Sequence, residues 1–153
     1  MIHEGTHGIQ AMDLLGRKVL MENGRGLQLL AGRINATIER AIQQPALAPH
    51  ANALAKALAR VGAVTKAAWA TGNPTEALAN AVPYMQAFGH VVLAWTWLEL
   101  ALVADASKNG ATAEGVAGAT RYFFHYELPK IDAWLRVVES RDMTCADMPE
   151  EAF

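Results

Sequence analysis

The sequence predicts an all-α fold, an up-down bundle of four long helices preceded by one shorter helix. Three observations support this prediction. About thirty of the 153 residues are alanine, the residue with the highest helix propensity. The β-branched residues are scattered, and no segment alternates apolar and polar residues over the length of a strand. With 52% hydrophobic and only 18% charged residues, the chain has enough apolar surface to offset the entropy lost on folding.

The shorter helix is predicted to start near Thr6, a good N-cap residue, and to end near residue 19. Asp13 and Arg17 are four residues apart and can pair on its polar side. Asn23 and Gly24 then break the pattern. The apolar residues at helical spacing, which we expect to face the core, are Ile9, Met12, Leu15 and Val19.

The first two long helices are predicted over residues 26–43 and 50–71. Pro45 and Pro49 bracket the turn between them, because proline cannot continue a helix through its own position. The second ends at residues 72–74 (Gly-Asn-Pro), a strong stop signal. Their apolar stripes are Leu27, Leu30, Ile34, Ile38 and Ile42 in one helix, and Leu54, Leu58, Val61, Val64 and Ala68 in the other.

The last two long helices are predicted over residues 75–108 and 112–139. Pro83 and Pro129 lie inside them, so we expect a break or kink near each proline. Residues 84–106 are apolar nearly all round, which is typical of the central helix of a bundle. The most membrane-like part, residues 91–104, is too short for a membrane span and contains Glu99, and extending it upstream takes in His90, Gln86 and Pro83. We therefore expect a buried core helix and no crossing of a membrane.

Charge and cysteine content narrow the possible partners and compartment. The formal net charge is −2 and the isoelectric point is about 6.2, so a nucleic-acid partner is not expected. Cys145 is the single cysteine and cannot form an internal disulfide. We see no signal peptide, and with one free thiol this favours a cytoplasmic location.

Residues 3–7 (HEGTH) match the H-E-x-x-H pattern of zinc hydrolases. That chemistry needs both histidines on one face of a continuous helix. Gly5 interrupts the pattern, Thr6 is a helix-start residue, and no third ligand follows at the usual spacing. A zinc hydrolase therefore stays a minor alternative, and we assign no metal ligand.

A longer match starts at the same place. Residues 2–10 (IHEGTHGIQ) resemble the late segment of the acyl-CoA dehydrogenase family, whose pattern is Ile-Tyr-Glu-Gly-Thr followed by Ile-Gln. Residues 11–18 (AMDLLGRK) extend the resemblance to the larger members of the methylmercaptopropionyl-CoA dehydrogenase type. Those members carry an extra helical region after the catalytic domain. The resemblance therefore implies a helical C-terminal region of an FAD-dependent enzyme that acts on acyl-CoA thioesters.

The resemblance also implies residue roles. Glu4 falls on the catalytic base that removes the α-proton of the acyl group, and Gly5 falls beside the substrate. Thr6, His7 and Gly8 fall on the segment that touches the flavin. Removal of this weakly acidic proton needs a well-placed carboxylate that is shielded from water. Two residues depart from the family pattern: His3 replaces the usual tyrosine, and Gly8 replaces a common glutamine or glutamate.

The chain is accordingly interpreted as a C-terminal fragment of such an enzyme. Residues 1–20 would be the last segment of the catalytic domain, and residues 21–153 a helical bundle domain. Alone, the chain is expected to bind no FAD and to be inactive, and the bundle is expected to pack on the enzyme or to form a homo-oligomer. A free-standing helical interaction module is the alternative interpretation.

Two polar residues in apolar surroundings are open to two interpretations. His90 could be a ligand, but a core histidine with local partners is favoured. Glu99 could be a functional carboxylate, but a structural role is favoured, either on a narrow solvent-exposed stripe or in a pair with an arginine from a neighbouring helix. Arg121 and His125 are four residues apart and could approach an anion, which is a weak signal.

Overall fold

A computed structural model describes residues 6–107 and 110–152 of the chain. Within these ranges the regular elements are all helical and there is no strand, so the all-α prediction is confirmed. The helices are α1 (Thr6–Asp13), α2 (Met21–Ala41), α3 (Ala48–Ala68), α4 (Pro74–Leu78), α5 (Ala81–Ser107), α6 (Gly110–Tyr122) and α7 (Ile131–Ser140). The up-down order of neighbouring helices stays a prediction.

The N-terminal helical segment contains an irregular turn. α1 continues into a π-helical turn, Leu14–Lys18. Leu15 and Val19 are buried as predicted, but Ile9 and Met12 are 65% and 48% exposed, so the predicted core face is wrong for these two. A π-turn holds more residues than an α-turn and therefore shifts the phase of the helix. Ala11 of α1 is buried together with Leu15.

The predicted break at Asn23 and Gly24 is a left-handed turn. Glu22, Asn23 and Gly24 have φ angles of 50°, 56° and 80°, within the bounds of α2. Positive φ is unfavourable for most residues with a side chain, and glycine adopts it freely. The right-handed part of α2 therefore starts after Gly24, close to the predicted start at residue 26.

The long helix predicted over residues 75–108 is divided into α4 and α5. The break falls at residues 79–80, slightly before the predicted position at Pro83. Pro83 instead occupies the first turn of α5, where a missing backbone N–H leaves no hydrogen bond unmade. Asn73 caps α4 by accepting a hydrogen bond from the Thr75 backbone N–H at 3.0 Å.

The last predicted helix is also divided, as expected near Pro129. α6 runs into a π-helical turn, Phe123–Glu127, and a 3-10 turn, Leu128–Lys130, before α7 begins. Pro129 lies in the 3-10 turn. Leu135 and Val138 of α7 are buried, so the helix resumes with its apolar face inward.

The core is built around α5, which contacts α1, α2, α3, α6 and α7. Its buried positions include Tyr84, Val91 and Leu98. Residues 81–104 of α5 are the one helical stretch in the described ranges that is long and apolar enough to cross a membrane by length and composition. Because α5 packs against five helices, it is a core helix of this fold, although Leu93 and Val103 remain exposed on its outer side.

Candidate functional site

The residues assigned to the flavin-contacting segment lie at the start of the described chain. Glu4 and Gly5, the assigned base and substrate contact, lie outside the described residues. Thr6 and His7 are exposed on α1, and Gly8 is half-buried. A Cβ atom at Gly8 would meet no atom within 4 Å. The structure therefore leaves open space at Gly8 and exposes the side chains of Thr6 and His7 to solvent.

The exposed side of α1 combines polar and apolar groups. Thr6 offers a hydroxyl and His7 two ring nitrogens, while Ile9 and Met12 stand exposed beside them. Hydroxyl and imidazole groups can donate hydrogen bonds to a phosphate, and exposed apolar side chains favour contact with another protein surface. This side of α1 therefore presents hydrogen-bonding groups next to exposed apolar side chains.

An ion pair lies directly after this exposed side. The Arg17 guanidinium donates a hydrogen bond to the Asp13 carboxylate at 2.5 Å, as the spacing predicts. That hydrogen bond is the main reason the pKa of Asp13 lies below its ordinary value. The charges at this end of α1 thus neutralise each other locally.

The zinc pattern receives no support from the described residues. His3 and Glu4 of that pattern lie outside them, and His7 is exposed. Across residues 6–107 and 110–152, no group of three or more histidine, cysteine or acidic residues is placed to hold a metal ion.

His90 has the local partners expected of a core histidine. Its Nδ1 lies 3.0 Å from the Gln86 carbonyl oxygen, and its Nε2 lies 3.5 Å from the Glu127 carboxylate. Its ring packs edge-on against Trp134 with centroids 4.8 Å apart. Lys130 donates a hydrogen bond to Glu127 at 2.7 Å, which is the main reason the pKa of that carboxyl is lowered. The π-helical turn that carries Glu127 is thereby fastened to α5.

Glu99 has an arginine partner, which is one of the two structural possibilities expected for it. Its carboxylate accepts hydrogen bonds from the Thr37 hydroxyl and the Arg40 guanidinium, both on α2. Trp95 donates its indole N–H to the Thr37 hydroxyl oxygen at 2.7 Å. The four side chains form a polar contact between α2 and α5, and this arrangement is structural.

The structure adds a residue to the pair Arg121 and His125. The His50 ring lies with its centroid 6.4 Å from that of His125 and 4.7 Å from that of Phe124. Burial is the main reason the pKa of His50 is lowered, and the positive fields of His125 and Arg121 lower it further. No local pattern pointed to His50, because it lies about seventy residues from this pair along the chain.

Known proteins resemble this chain over most of its length. Residues 30–149 match the family described as acetyl-CoA dehydrogenase C-terminal like. The chain is 38% identical over 117 residues to 3-methylmercaptopropionyl-CoA dehydrogenase of Ruegeria pomeroyi, covering 74% of the chain and 20% of that protein. It is 27% identical over 167 residues to the broad-specificity linear acyl-CoA dehydrogenase FadE5 of Mycobacterium tuberculosis, covering 99% and 27%.

A third relative gives the same picture. Butyryl-CoA dehydrogenase of Syntrophomonas wolfei is 27% identical over 161 residues, which cover 98% of the chain and 26% of that protein. The chain therefore spans about a fifth to a quarter of the length of the curated relatives it matches.

Proposed function

Since the chain belongs to the acetyl-CoA dehydrogenase C-terminal-like family, we propose that it serves as the C-terminal helical part of an FAD-dependent acyl-CoA dehydrogenase. The main support for this proposal is that two separate parts of the chain resemble the same enzyme family. Residues 2–18 resemble the catalytic segment of these enzymes, while the family match covers residues 30–149 and does not include that segment. Each part points to the same kind of enzyme without the other.

In this proposal residues 1–20 complete the catalytic domain and residues 21–153 form the helical domain. Glu4 acts as the base that takes the α-proton of the acyl thioester, and Gly5 lies beside the substrate. The bound flavin supplies the acceptor for the hydride that leaves the β-carbon. Thr6, His7 and Gly8 form one wall of the cofactor site, which is consistent with the exposed Thr6 and His7.

The test uses the protein expressed from its complete natural reading frame. We expect that protein to carry flavin and to oxidise an acyl-CoA in the presence of an electron-accepting dye. Glu4→Gln should lower the rate by about 10²–10⁴-fold, because it removes the proton acceptor, while the flavin content stays unchanged.

Glu39→Gln is the matched control, because Glu39 is an exposed carboxylate on α2. It should keep full activity. Unchanged activity of Glu4→Gln would overturn the assignment of the base. A natural reading frame that starts at Met1 and a protein without flavin would favour a free-standing interaction module. We also expect the 153-residue chain alone to retain no FAD after gel filtration.

The outer side of α5 supports a role in self-association. Leu93, Leu100 and Val103 lie along one side of this helix and are 48%, 45% and 64% exposed. A row of exposed apolar residues on a core helix favours contact with another subunit. We therefore place the expected homo-oligomer contact on this side of α5, and we retain the cytoplasm as the proposed location because Cys145 is a free, exposed thiol.

Sedimentation velocity tests the proposed contact. The double variant Leu93→Glu and Leu100→Glu should convert an oligomer into monomers, because it places charges in an apolar contact. Val137→Glu is the matched control, since Val137 is exposed on α7. Oligomers that survive the double variant, or that Val137→Glu disrupts equally, would place the contact elsewhere.

A further inference from the structure

Two neighbouring apolar cavities lie between the N-terminal segment, α2 and α5. The outer cavity has a volume of about 560 Å³ and opens to solvent beside the π-helical turn Leu14–Lys18. The inner cavity is smaller, about 90 Å³, and reaches α3. Leu27, Leu30 and Phe88 line both, so these side chains are what separates one cavity from the other.

The walls and the rim of this pair of cavities differ in polarity. Apart from the shared residues, the inner cavity is lined by aliphatic side chains such as Ile34 and Leu58 and by Gly62. The charged residues Lys18, Glu22 and Arg25 all lie on the outer cavity. The rim therefore carries two positive charges and one negative charge, while the deep end is apolar.

The rim is shaped by the left-handed turn of α2. Glu22 has a φ of 50°, a costly value for a residue with a side chain. Such outliers occur more often at ligand sites than elsewhere. The Arg25 guanidinium lies 3.4 Å from the Glu22 carboxylate, and both side chains are about two-thirds exposed. An exposed pair of this length is weak, so Arg25 remains available to another anion.

The shape selects among possible occupants. A volume of several hundred Å³ with apolar walls is typical of a small-molecule site. The inner cavity, at about 90 Å³, is too small to take a protein surface, and its aliphatic lining suits the end of an alkyl chain. A net positive rim then favours a negative head group.

We propose that the two cavities bind one straight-chain fatty acid. Its carboxylate lies at the rim near Lys18 and Arg25, its chain fills the outer cavity, and its methyl end passes Phe88 into the inner cavity. The partition between the cavities consists of the half-buried side chains of Leu27, Leu30 and Phe88, and the proposal requires these side chains to change rotamer when the chain enters. None of the lining residues belongs to the assigned flavin segment Thr6–Gly8, so the binding test on this chain does not require flavin or dehydrogenase activity.

Chain-length dependence measured by titration calorimetry tests the inner cavity. Octanoate, decanoate, dodecanoate and tetradecanoate are titrated below their critical micelle concentrations into the full 153-residue chain. Each buried methylene should strengthen binding about fourfold. Gly62→Leu should weaken tetradecanoate binding at least about tenfold and leave octanoate unchanged, because only the long chain reaches the inner cavity.

Gly62→Leu is expected to fold. A Cβ at Gly62 would meet no atom within 4 Å, and leucine favours a helix more than glycine does. Gly115→Leu is the matched control, since Gly115 is an exposed helical glycine on α6 with the same open space. A lack of saturable tetradecanoate binding would overturn the proposal, as would equal weakening by the two variants.

The head group is tested separately. Lys18→Gln combined with Arg25→Gln should weaken tetradecanoate binding about tenfold or more and leave tetradecanol unchanged, because the alcohol carries no charge. Glu22→Gln should strengthen carboxylate binding. Tetradecanoyl-CoA distinguishes the source of the chain: weaker binding than tetradecanoate supports a free fatty acid, and tighter binding would overturn the placement of a carboxylate at the rim.

Discussion

The exposed side of α1 and the interface between α3, α5 and α7, called the closed seam here, differ in how they treat apolar side chains. The first leaves them in solvent, and the second buries them. On the exposed side of α1, Ile9 and Met12 are largely exposed. In the closed seam, Tyr84 and Leu135 are fully buried. Both regions belong to one chain and lie on helices that contact α5. The comparison indicates that the apolar burial of this fold is concentrated in the seam, whereas α1 keeps apolar side chains exposed.

Polar contacts follow the same division. In the closed seam, the hydroxyl groups of Thr65 and Tyr84 are hydrogen-bonded at 2.7 Å, and Thr65 also donates to the Val61 carbonyl oxygen. In the N-terminal segment, Asp13 at the end of α1 pairs with Arg17 of the π-helical turn that follows directly. The seam thus joins separate helices through its polar groups, whereas the pair Asp13 and Arg17 is local in sequence.

Alanine substitutions at the two regions should give the largest difference. Leu135→Ala should lower the free energy of unfolding by about 2–5 kcal/mol, because it leaves a cavity at a fully buried position. Ile9→Ala should change it by less than about 0.5 kcal/mol, because the side chain is already exposed. Urea unfolding followed by circular dichroism measures both, and similar losses at the two positions would remove the distinction.

Tyr84 sharpens the comparison through pH. Burial raises the pKa of Tyr84 to about 12, while its hydrogen bond with Thr65 lowers it less strongly. Above the ordinary tyrosine value of about 10, the unfolded chain loses the phenol proton and the folded chain keeps it. The stabilisation is therefore complete below about pH 10 and is lost as pH rises towards 12, by about 2–3 kcal/mol.

Urea unfolding between about pH 9 and 12 should show this loss in the parent protein and not in Tyr84→Phe, which has no proton to release. The variant also separates Tyr84 from other groups that titrate in this range, because those groups remain in both proteins. The same slope in both proteins would mean that Tyr84 is solvated as in the unfolded chain.

The helices could be predicted from the sequence because their signals are local. The stop at residues 72–74 has glycine in a left-handed conformation and a capping asparagine, as the sequence indicates. The face of α1 could not be predicted in full, since the π-helical turn changes its phase and the exposure of Ile9 depends on tertiary packing. The spacing of apolar residues alone does not predict which of them remain exposed to solvent.

Only the part of the candidate site that lies within residues 2–18 could be predicted, because the family resemblance is specific there. Residues 2–18 indicated the catalytic segment, and the family match confirmed the family. An arginine partner was one of two structural possibilities for Glu99, and the choice of Arg40 depends on how α2 packs on α5. His50 and the cavity around Phe88 were missed, because both bring together residues that are distant in sequence.

The contact of Glu99 with α2 is intermediate in burial between the exposed side of α1 and the closed seam, since the Glu99 side chain is 34% exposed. Glu99→Ala should lower the free energy of unfolding by about 1–2 kcal/mol, because Thr37 and Arg40 lose their common acceptor. Arg40→Ala should cost less, because the Arg40 side chain is 57% exposed and its partner keeps Thr37. Urea unfolding measures both variants. An Arg40→Ala loss as large as that of Glu99→Ala would show that the ion pair, and not the buried hydroxyl contact, holds α2 to α5.

The smallest effect is expected at the rim of the closed seam, where Arg60 of α3 donates two hydrogen bonds to the Glu139 carboxylate of α7 at 2.9 and 2.6 Å. These bonds are the main reason the pKa of Glu139 lies below its ordinary value. A lowered carboxyl pKa stabilises the fold above the unfolded value, and this stabilisation is lost as pH falls through the folded value. The melting temperature of Glu139→Gln should therefore lie slightly below that of the parent at neutral pH and converge with it in acid. Glu39→Gln is the control and should show no such convergence. A constant difference for Glu139→Gln at every pH would mean that packing, and not charge, stabilises this contact between α3 and α7.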